Sequence, residues 1–403
     1  MNYLLKPGKL KGTVQAISAK SVLHRQIICA MQAEQPTEIR FHGLSEDVKA
    51  TLTCARALGC SVDVYADTIR IARGAGAVPT PPTLDCGESG STARFMLPVA
   101  AAIRDGFTLV GSGRLPERPM DALCRTLEGH GCTCSGNRLP ITVRGKLTGG
   151  AFALPGNVSS QYISGLLLAS PQLDGCDIRI RGSLSSAGYV DITVQVLQQF
   201  GIHVQRTEDG FHVPGGQKLI SPGLVEAEGD WSNAAFWLCA GELSSGGVVV
   251  TGLNADSTQG DRAVLAAIEA MRRPGTLEMD IDAIPDLLPV LSVLAAARRD
   301  KTVFSNAARL RLKESDRLDS TCALLTALGG RAETSPDSLT VFGGGLLGGQ
   351  VDAWGDHRIV MSAAVASTIC PQPVTICGAE AVNKSYPSFF SDFCALGGVV
   401  QIL

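Results

Sequence analysis

Ala57-Leu58-Gly59-Cys60-Ser61-Val62-Asp63-Val64-Tyr65-Ala66-Asp67-Thr68-Ile69-Arg70-Ile71 carries the reading of the fold. Its first three residues close an apolar helical pattern on a glycine, the residue that accepts the left-handed conformation ending a helix. The chain beyond that glycine alternates, turns and alternates again. Val62, Val64, Ile69 and Ile71 would point to one face of a two-stranded hairpin, with Ala66-Asp67 near its turn. Helix, glycine, hairpin is therefore the unit to seek elsewhere.

The unit recurs. Gln199-Phe200-Gly201 leads into a β-rich stretch to Val213, Ala327-Leu328-Gly329 into one ending at Val341, and Ala395-Leu396-Gly397 closes a fourth copy. His130-Gly131 is weaker, and Met271-Arg272-Arg273-Pro274-Gly275 is the poorest. Successive glycines are 72, 70, 74, 54 and 68 residues apart. That spacing predicts one α/β unit used six times, as two domains of three, with a hairpin missing after Gly275.

Composition bounds the function. A chain of 403 residues, 45% hydrophobic and 18% charged, has ample material for two cores and is not disordered. With 35 Lys+Arg against 38 Asp+Glu, no global basic field draws it to nucleic acid or to anionic lipid. The most apolar stretch, Ile284 to Ala297, holds Pro285, Asp286 and Pro289 and falls short of the about 20 residues a membrane span needs. Met-Asn-Tyr-Leu-Leu-Lys-Pro-Gly has no secretory h-region. The 13 cysteines are odd in number and scattered, which suits a reducing cytoplasm, and Cys132 and Cys134 lack partners at zinc spacing. A cytoplasmic protein without metal is expected.

Polar residues cluster where helices are expected to begin: Ser18-Ala19-Lys20-Ser21-Val22-Leu23-His24-Arg25, Ser89-Gly90-Ser91-Thr92-Ala93-Arg94, Ser159-Ser160-Gln161, Lys313-Glu314-Ser315-Asp316-Arg317, Asp356-His357-Arg358 and Asn383-Lys384-Ser385. A serine there is ordinarily a cap. A cation is different, because the helix dipole opposes it by roughly 0.3–1 kcal/mol. Lys20, Arg94, Lys313, Arg358 and Lys384 repeat that exception, and Lys20/His24, Ser21/Arg25 and Lys313/Arg317 are spaced to share a helix face. Cations gathered at dipole ends that already favour anions indicate a ligand with several negative charges. Asp286, in an apolar run, needs a partner or a task. Glu314 reads most simply as a surface salt bridge, Asp230 as a cap, His357 as a structural histidine and Tyr189 as core. No phosphate loop, dinucleotide fingerprint or nucleophile elbow is present.

Together these segments resemble the enolpyruvyl transferase family, in its 3-phosphoshikimate 1-carboxyvinyltransferase (5-enolpyruvylshikimate-3-phosphate synthase) branch, over essentially the whole chain. Leu312-Lys313-Glu314-Ser315-Asp316-Arg317-Leu318 and Asp356-His357-Arg358 carry the resemblance most specifically, supported by Glu117-Arg118-Pro119-Met120 and Ile284-Pro285-Asp286. It implies an α/β fold of two similar domains, each of three βαββαβ-type units (an inside-out α/β barrel), with the active site in the interdomain cleft. The first domain would comprise residues 1–18 and 229–403, the second residues 19–228. The implied reaction transfers the enolpyruvyl group of phosphoenolpyruvate to the 5-hydroxyl of shikimate 3-phosphate and releases phosphate.

By position, Lys20, Gly90, Arg118, Gln161, Arg317, Arg358 and Lys384 resemble the phosphoenolpyruvate set. Ser21, Arg25, Ser159, Ser160, Gln161, Ser186, Tyr189, Asp286 and Lys313 resemble the shikimate 3-phosphate set. Asp286 and Glu314 would move protons, with Lys20 and Lys384 assisting. No cofactor or metal is implied. The partners would be these two small molecules, with no nucleic acid and no membrane, and the chain would act as a monomer. Three positions depart from the family pattern: Glu88 stands where Asn is common, Ala187-Gly188 where a cation and Pro precede Tyr189, and Ser18-Ala19 where a Gly-Ser type turn precedes Lys20. The alternatives are the related transferase acting on UDP-N-acetylglucosamine, whose loop cysteine is here Gly113, and a catalytically degenerate binder of phosphorylated metabolites.

Overall fold

The computed structural model describes residues 1–74, 78, 81–244 and 247–403. The chain forms two compact units, one of Ser18–Glu228 and one joining Met1–Ile17 to Gly229–Leu403. Each has its own apolar core. Ser18, expected in the first domain, belongs to the Ser18–Glu228 unit. Its N–H donates to the His42 carbonyl at 2.7 Å and its hydroxyl to that of Ala227 at 3.1 Å.

Ser18–Glu228 contains α1 (Lys20–Gln32), α2 (Glu46–Ala57), α3 (Gly90–Ile103), α4 (Asp121–Glu128), α5 (Ser160–Ala169) and α6 (Ala187–Gln199). Its third repeat shows the plan. Strand Gly150–Pro155 runs parallel to Cys176–Arg181 with α5 between them, and after α6 the hairpin of Gln205–Arg206 and Gly210–Val213 adds on antiparallel. The order within a repeat is thus βαβαββ rather than βαββαβ. Parallel neighbours need a helical crossover, whereas the closing antiparallel pair needs only a turn. Strands Thr83–Asp85, Phe107–Val110, Thr133–Cys134 and Ile141–Arg144 repeat it. In the first repeat, Leu224–Glu226 from the far end of the unit lies parallel to Thr37–Arg40 and takes the first strand's place.

The hairpin expected after Gly59 forms, with one exception to its burial. Val62 pairs with Ile71 and Val64 with Ile69, and Val62, Ile69 and Ile71 are buried. Val64 is exposed, at the end of the edge strand Ser61–Val64 where the chain enters the turn. All six helix-ending glycines, Gly59, Gly131, Gly201, Gly275, Gly329 and Gly397, have φ between +79° and +97°. Helices α3 and α5 run side by side, and a Cβ on Gly165 of α5 would collide with the Arg94 carbonyl of α3. That close approach brings the first turns of the two helices together.

The other unit contains α7 (Trp231–Leu243), α8 (Val264–Met271), α9 (Leu288–Ala297), α10 (Arg317–Ala327), α11 (His357–Ala366) and α12 (Phe389–Ala395). Leu277–Asp280, Thr302–Ser305, Leu339–Phe342 and Arg331–Thr334 form one four-stranded sheet. In a second, the N-terminal strand Asn2–Lys6 lies between Val374–Cys377 and Val399–Ile402, so both chain ends close that repeat. Gly12–Gln15 pairs only with Val248–Thr251 among the described residues. After α8 the chain passes Gly275 directly into Leu277–Asp280 of the next sheet, which accounts for the short interval of 54 residues.

Candidate active site

In the Gly229–Leu403 part, Asp286 lies in the 3-10 turn Pro285–Leu287 that opens α9. Its carboxylate, 17% exposed, meets three cations: Arg317 Nη1 at 2.8 Å, Arg358 Nη2 at 3.0 Å and Lys313 Nζ at 3.4 Å. Arg358 Nη1 also donates to the Asp286 carbonyl at 3.1 Å. Burial alone would push this carboxyl up, but Arg358, Lys313 and Arg317 together hold it well below the usual carboxylate range. Asp286 is therefore an anion with defined partners, which answers why a carboxylate stands in an apolar run.

Arg317, 1% exposed, serves three acids at once. Its Nε donates to Asp356 Oδ2 at 3.0 Å, its Nη1 to Asp286, and its Nη2 to Glu314 Oε2 at 2.6 Å. Burial works against its charge, but Asp356, Glu314 and Asp286 outweigh it and raise its pKa. Asp356 is fully buried. It caps α11 through the Arg358 N–H at 2.9 Å and accepts from Ser315 Oγ at 3.0 Å. One guanidinium thus fixes Asp286 and Glu314 relative to each other, and a buried aspartate fixes the guanidinium.

Two expectations change here. Lys313 and Arg317 do not share a helix face: Lys313 follows the 3-10 turn Ala308–Leu312, and α10 begins at Arg317. They converge on Asp286 Oδ1 instead. Lys384 ends the 3-10 turn Ala379–Lys384 rather than starting a helix, and that turn packs on α11, which carries Arg358. Lys20 and Arg358 do sit in first turns, of α1 and α11.

In the Ser18–Glu228 unit, Lys20 Nζ donates to Asp47 Oδ2 at 2.8 Å, joining α1 to α2. Gly90 opens α3 behind its cap, Ser89. A Cβ on Gly90 would lie 2.5 Å from Arg118 Nη1, so the missing side chain is what admits that guanidinium. The Arg118 segment is tied to α5 by Tyr162, whose hydroxyl donates to the Pro119 carbonyl at 2.6 Å. Gln161, beside Ser160 in the first turn of α5, accepts from Arg94 Nη1 at 2.6 Å and donates to Ser91 at 2.9 Å. Ser159 caps that helix.

Arg25 is 2% exposed and donates to Thr193 Oγ1, the Ser21 carbonyl, Ser164 Oγ and the Tyr189 carbonyl. Burial lowers its guanidinium to about 9. It ties α1 to α5 and α6 beneath Ser21 and Tyr189. Ser186 precedes α6 with φ 55°, a left-handed conformation uncommon for serine. Glu88 is exposed, and a Cβ on Gly113 would lie 2.5 Å from its carboxyl carbon.

The sequence profile of EPSP synthase (3-phosphoshikimate 1-carboxyvinyltransferase) matches residues 4–393. The chain belongs to the EPSP synthase family. A 3-phosphoshikimate 1-carboxyvinyltransferase from Clostridium kluyveri is 37% identical over 422 residues, covering 100% of this chain and 99% of that protein. One from Clostridium acetobutylicum is 38% identical over 419 residues, covering 98% and 97%. A solved EPSP synthase from Acinetobacter baumannii matches with a TM-score of 0.83 at 25% identity, over the full length of both chains. The enolpyruvyl transferase NikO from Streptomyces tendae shares the fold, with a TM-score of 0.80 at 17% identity over 99% of this chain and 98% of that one. The two units of βαβαββ repeats are thus the α/β fold of EPSP synthases, and the activity is that of a transferase.

Among the described residues, no group of three or more His, Cys, Asp or Glu side chains is placed to hold a metal, and no helix is long and apolar enough to cross a membrane. Three residues of this EPSP synthase fold escaped the site read from sequence. Asp47 and Asp356 sit at helix starts, where an acid looks like an ordinary dipole complement or cap. Arg94 was counted among the cations, but nothing in the spacing joined it to Gln161 on another helix.

Proposed function

We propose a division of roles for the reaction of the EPSP synthase family, in which the carboxyvinyl group of phosphoenolpyruvate passes to the 5-hydroxyl of shikimate 3-phosphate and phosphate leaves. Addition forms the bond from the 5-oxygen to C2 of phosphoenolpyruvate and puts a proton on C3. Elimination removes a proton from C3 and breaks the bond from C2 to the phosphate oxygen. Taking a proton from the 5-oxygen while C3 gains one, at two atoms of one adduct, needs two groups at a fixed separation. The observation that carries these roles is the single Arg317 guanidinium, 2.8 Å from Asp286 and 2.6 Å from Glu314.

Asp286, kept ionised, takes the proton of the 5-hydroxyl. Glu314 delivers the C3 proton and takes one back, with Lys20 and Lys384 assisting. Arg118, Gln161, Arg358 and the space at Gly90 hold phosphoenolpyruvate, with Arg317 contributing through the acids it orients. Ser21, Ser159, Ser160, Gln161, Ser186, Tyr189 and Lys313 hold shikimate 3-phosphate, with Arg25 setting Ser21 and Tyr189 from beneath. The chain works as a cytoplasmic monomer: its thiols are free, which suits a reducing compartment, and one chain supplies every residue given a role. Glu314→Gln and Asp286→Asn should each lower kcat by roughly 10²–10⁴-fold, while Arg118→Ala chiefly raises the KM for phosphoenolpyruvate. Carboxylate variants that keep the wild-type kcat would remove this assignment.

A further inference from the structure

His24, Thr51, Thr92 and Ser89 form a continuous chain of hydrogen bonds, and all four are fully buried. His24 Nδ1 lies 2.7 Å from Thr51 Oγ1, which lies 2.7 Å from Thr92 Oγ1, which lies 2.8 Å from Ser89 Oγ. The chain ends in the cap of α3, where Ser89 Oγ accepts the Thr92 N–H at 3.1 Å. Thr92 also reaches the Asp47 carbonyl at 3.3 Å.

Each link stands beside a residue assigned to phosphoenolpyruvate or the partner of one. His24 lies one turn after Lys20 on α1, Thr51 one turn after Asp47 on α2, and Ser89 directly before Gly90, which faces Arg118. Apolar packing can hold three helices together. Direct hydrogen bonds between their N-terminal halves also fix how far each is rotated and slid, to the tolerance a site requires. Burial, with Lys20 and Arg25 adding to it and Asp47 opposing, lowers the pKa of His24 to about 3, so the ring is neutral and has one N–H. Its Nε2 has no hydrogen-bond partner among the described residues, a cost that an apolar side chain would avoid. What histidine adds at this position is Nδ1.

We infer that His24 is a positioning residue for phosphoenolpyruvate, acting through Thr51 and Thr92 to set Lys20 and the Ser89-Gly90 end of α3 against Arg118. This rests on the assignment of Lys20, Gly90 and Arg118 to phosphoenolpyruvate. The test is steady-state kinetics of the full chain with each substrate varied in turn, alongside thermal melts. His24→Leu, and the nearly isosteric Thr51→Val should the former fail to fold, should raise the KM for phosphoenolpyruvate by roughly 5–20-fold, with kcat and the KM for shikimate 3-phosphate within about twofold. His24→Asn, whose Nδ2 is as many bonds from Cα as Nδ1, should restore wild-type behaviour, as should Thr51→Ser. His24→Gln, whose amide lies one bond farther out, should not. A Thr51→Val protein with unchanged KM values overturns the proposal, as do changes in both KM values and kcat that simply track the loss of melting temperature. Arg118→Ala distinguishes the causes. If it raises the KM for phosphoenolpyruvate while Thr51→Val does not, the relay alone fails. If neither does, the substrate assignment fails and takes the relay with it.

Discussion

Asp356→Asn removes one buried charge and turns one accepting oxygen into an NH2 donor facing Arg317. The fully buried carboxylate meets Arg317 Nε at 3.0 Å, Arg317 Nη2 at 3.4 Å, Ser315 Oγ at 3.0 Å and the Arg358 N–H at 2.9 Å. Asparagine has the same shape and caps a helix about as well, so the start of α11 should survive. The substitution removes one of three negative charges around a guanidinium that is 1% exposed. Breaking a buried ion pair costs about 3–5 kcal/mol, and because Arg317 keeps Asp286 and Glu314 the loss should be near the lower end, about 3 kcal/mol. For a unit of this size that corresponds to a melting temperature about 6–12 °C lower. With its anchor gone, Arg317 no longer fixes the separation of Asp286 and Glu314, and a misplacement of about 1 Å lowers kcat roughly 10²-fold. The assay is calorimetry together with initial rates of phosphate release at saturating concentrations of both substrates. A variant that melts within about 1 °C of wild type and turns over within about twofold of it would refute the claim that a buried charge organises the site.

Gly90→Ala puts a Cβ 2.5 Å from Arg118 Nη1, at the flexible end of that side chain. The KM for phosphoenolpyruvate should rise roughly tenfold (about 1.4 kcal/mol), while the melting temperature changes little, since Gly90 is the first residue of α3 and the flexible tip of Arg118 can move aside; an unchanged KM would detach Arg118 from that substrate. Gly165→Ala drives a methyl group into the Arg94 carbonyl, which is backbone and cannot step aside. It should cost about 1–3 kcal/mol in urea unfolding and weaken the Arg94 contact with Gln161, whereas unaltered stability would mean α3 and α5 are not so close. The depressed Asp286 carboxyl stabilises the fold fully above its unfolded pKa of about 3.9 and loses that contribution as the pH falls towards its folded value. Wild-type stability should therefore fall more steeply than that of Asp286→Asn below about pH 4 and run parallel to it above about pH 5. Parallel curves throughout would contradict the depressed value.

The repeats were legible because they rest on local rules. A glycine past a helix and alternation beyond it need no long-range information, and all six glycines adopt positive φ. The strand exchanges were not legible. Nothing in Asn2–Lys6 says that it pairs with Val374–Cys377 and Val399–Ile402, or in Leu224–Glu226 that it lies beside Thr37–Arg40. Within the candidate site, residue types were readable and partnerships were not. The spacing of Lys313 and Arg317 suggested one helix face, but the 3-10 turn and the capping Asp316 interrupt it, and the two meet through Asp286 instead. Asp47 and Asp356 hid in positions where acids are ordinary. The charge balance near −3 concealed how unevenly the cations are gathered.

Phosphate release from the purified chain, given phosphoenolpyruvate and shikimate 3-phosphate and then each alone, tests the central claim most directly. Release that requires both substrates, with one enol ether formed per phosphate, is expected. A folded protein that binds both and releases none, or that releases phosphate only with UDP-N-acetylglucosamine as acceptor, would contradict it.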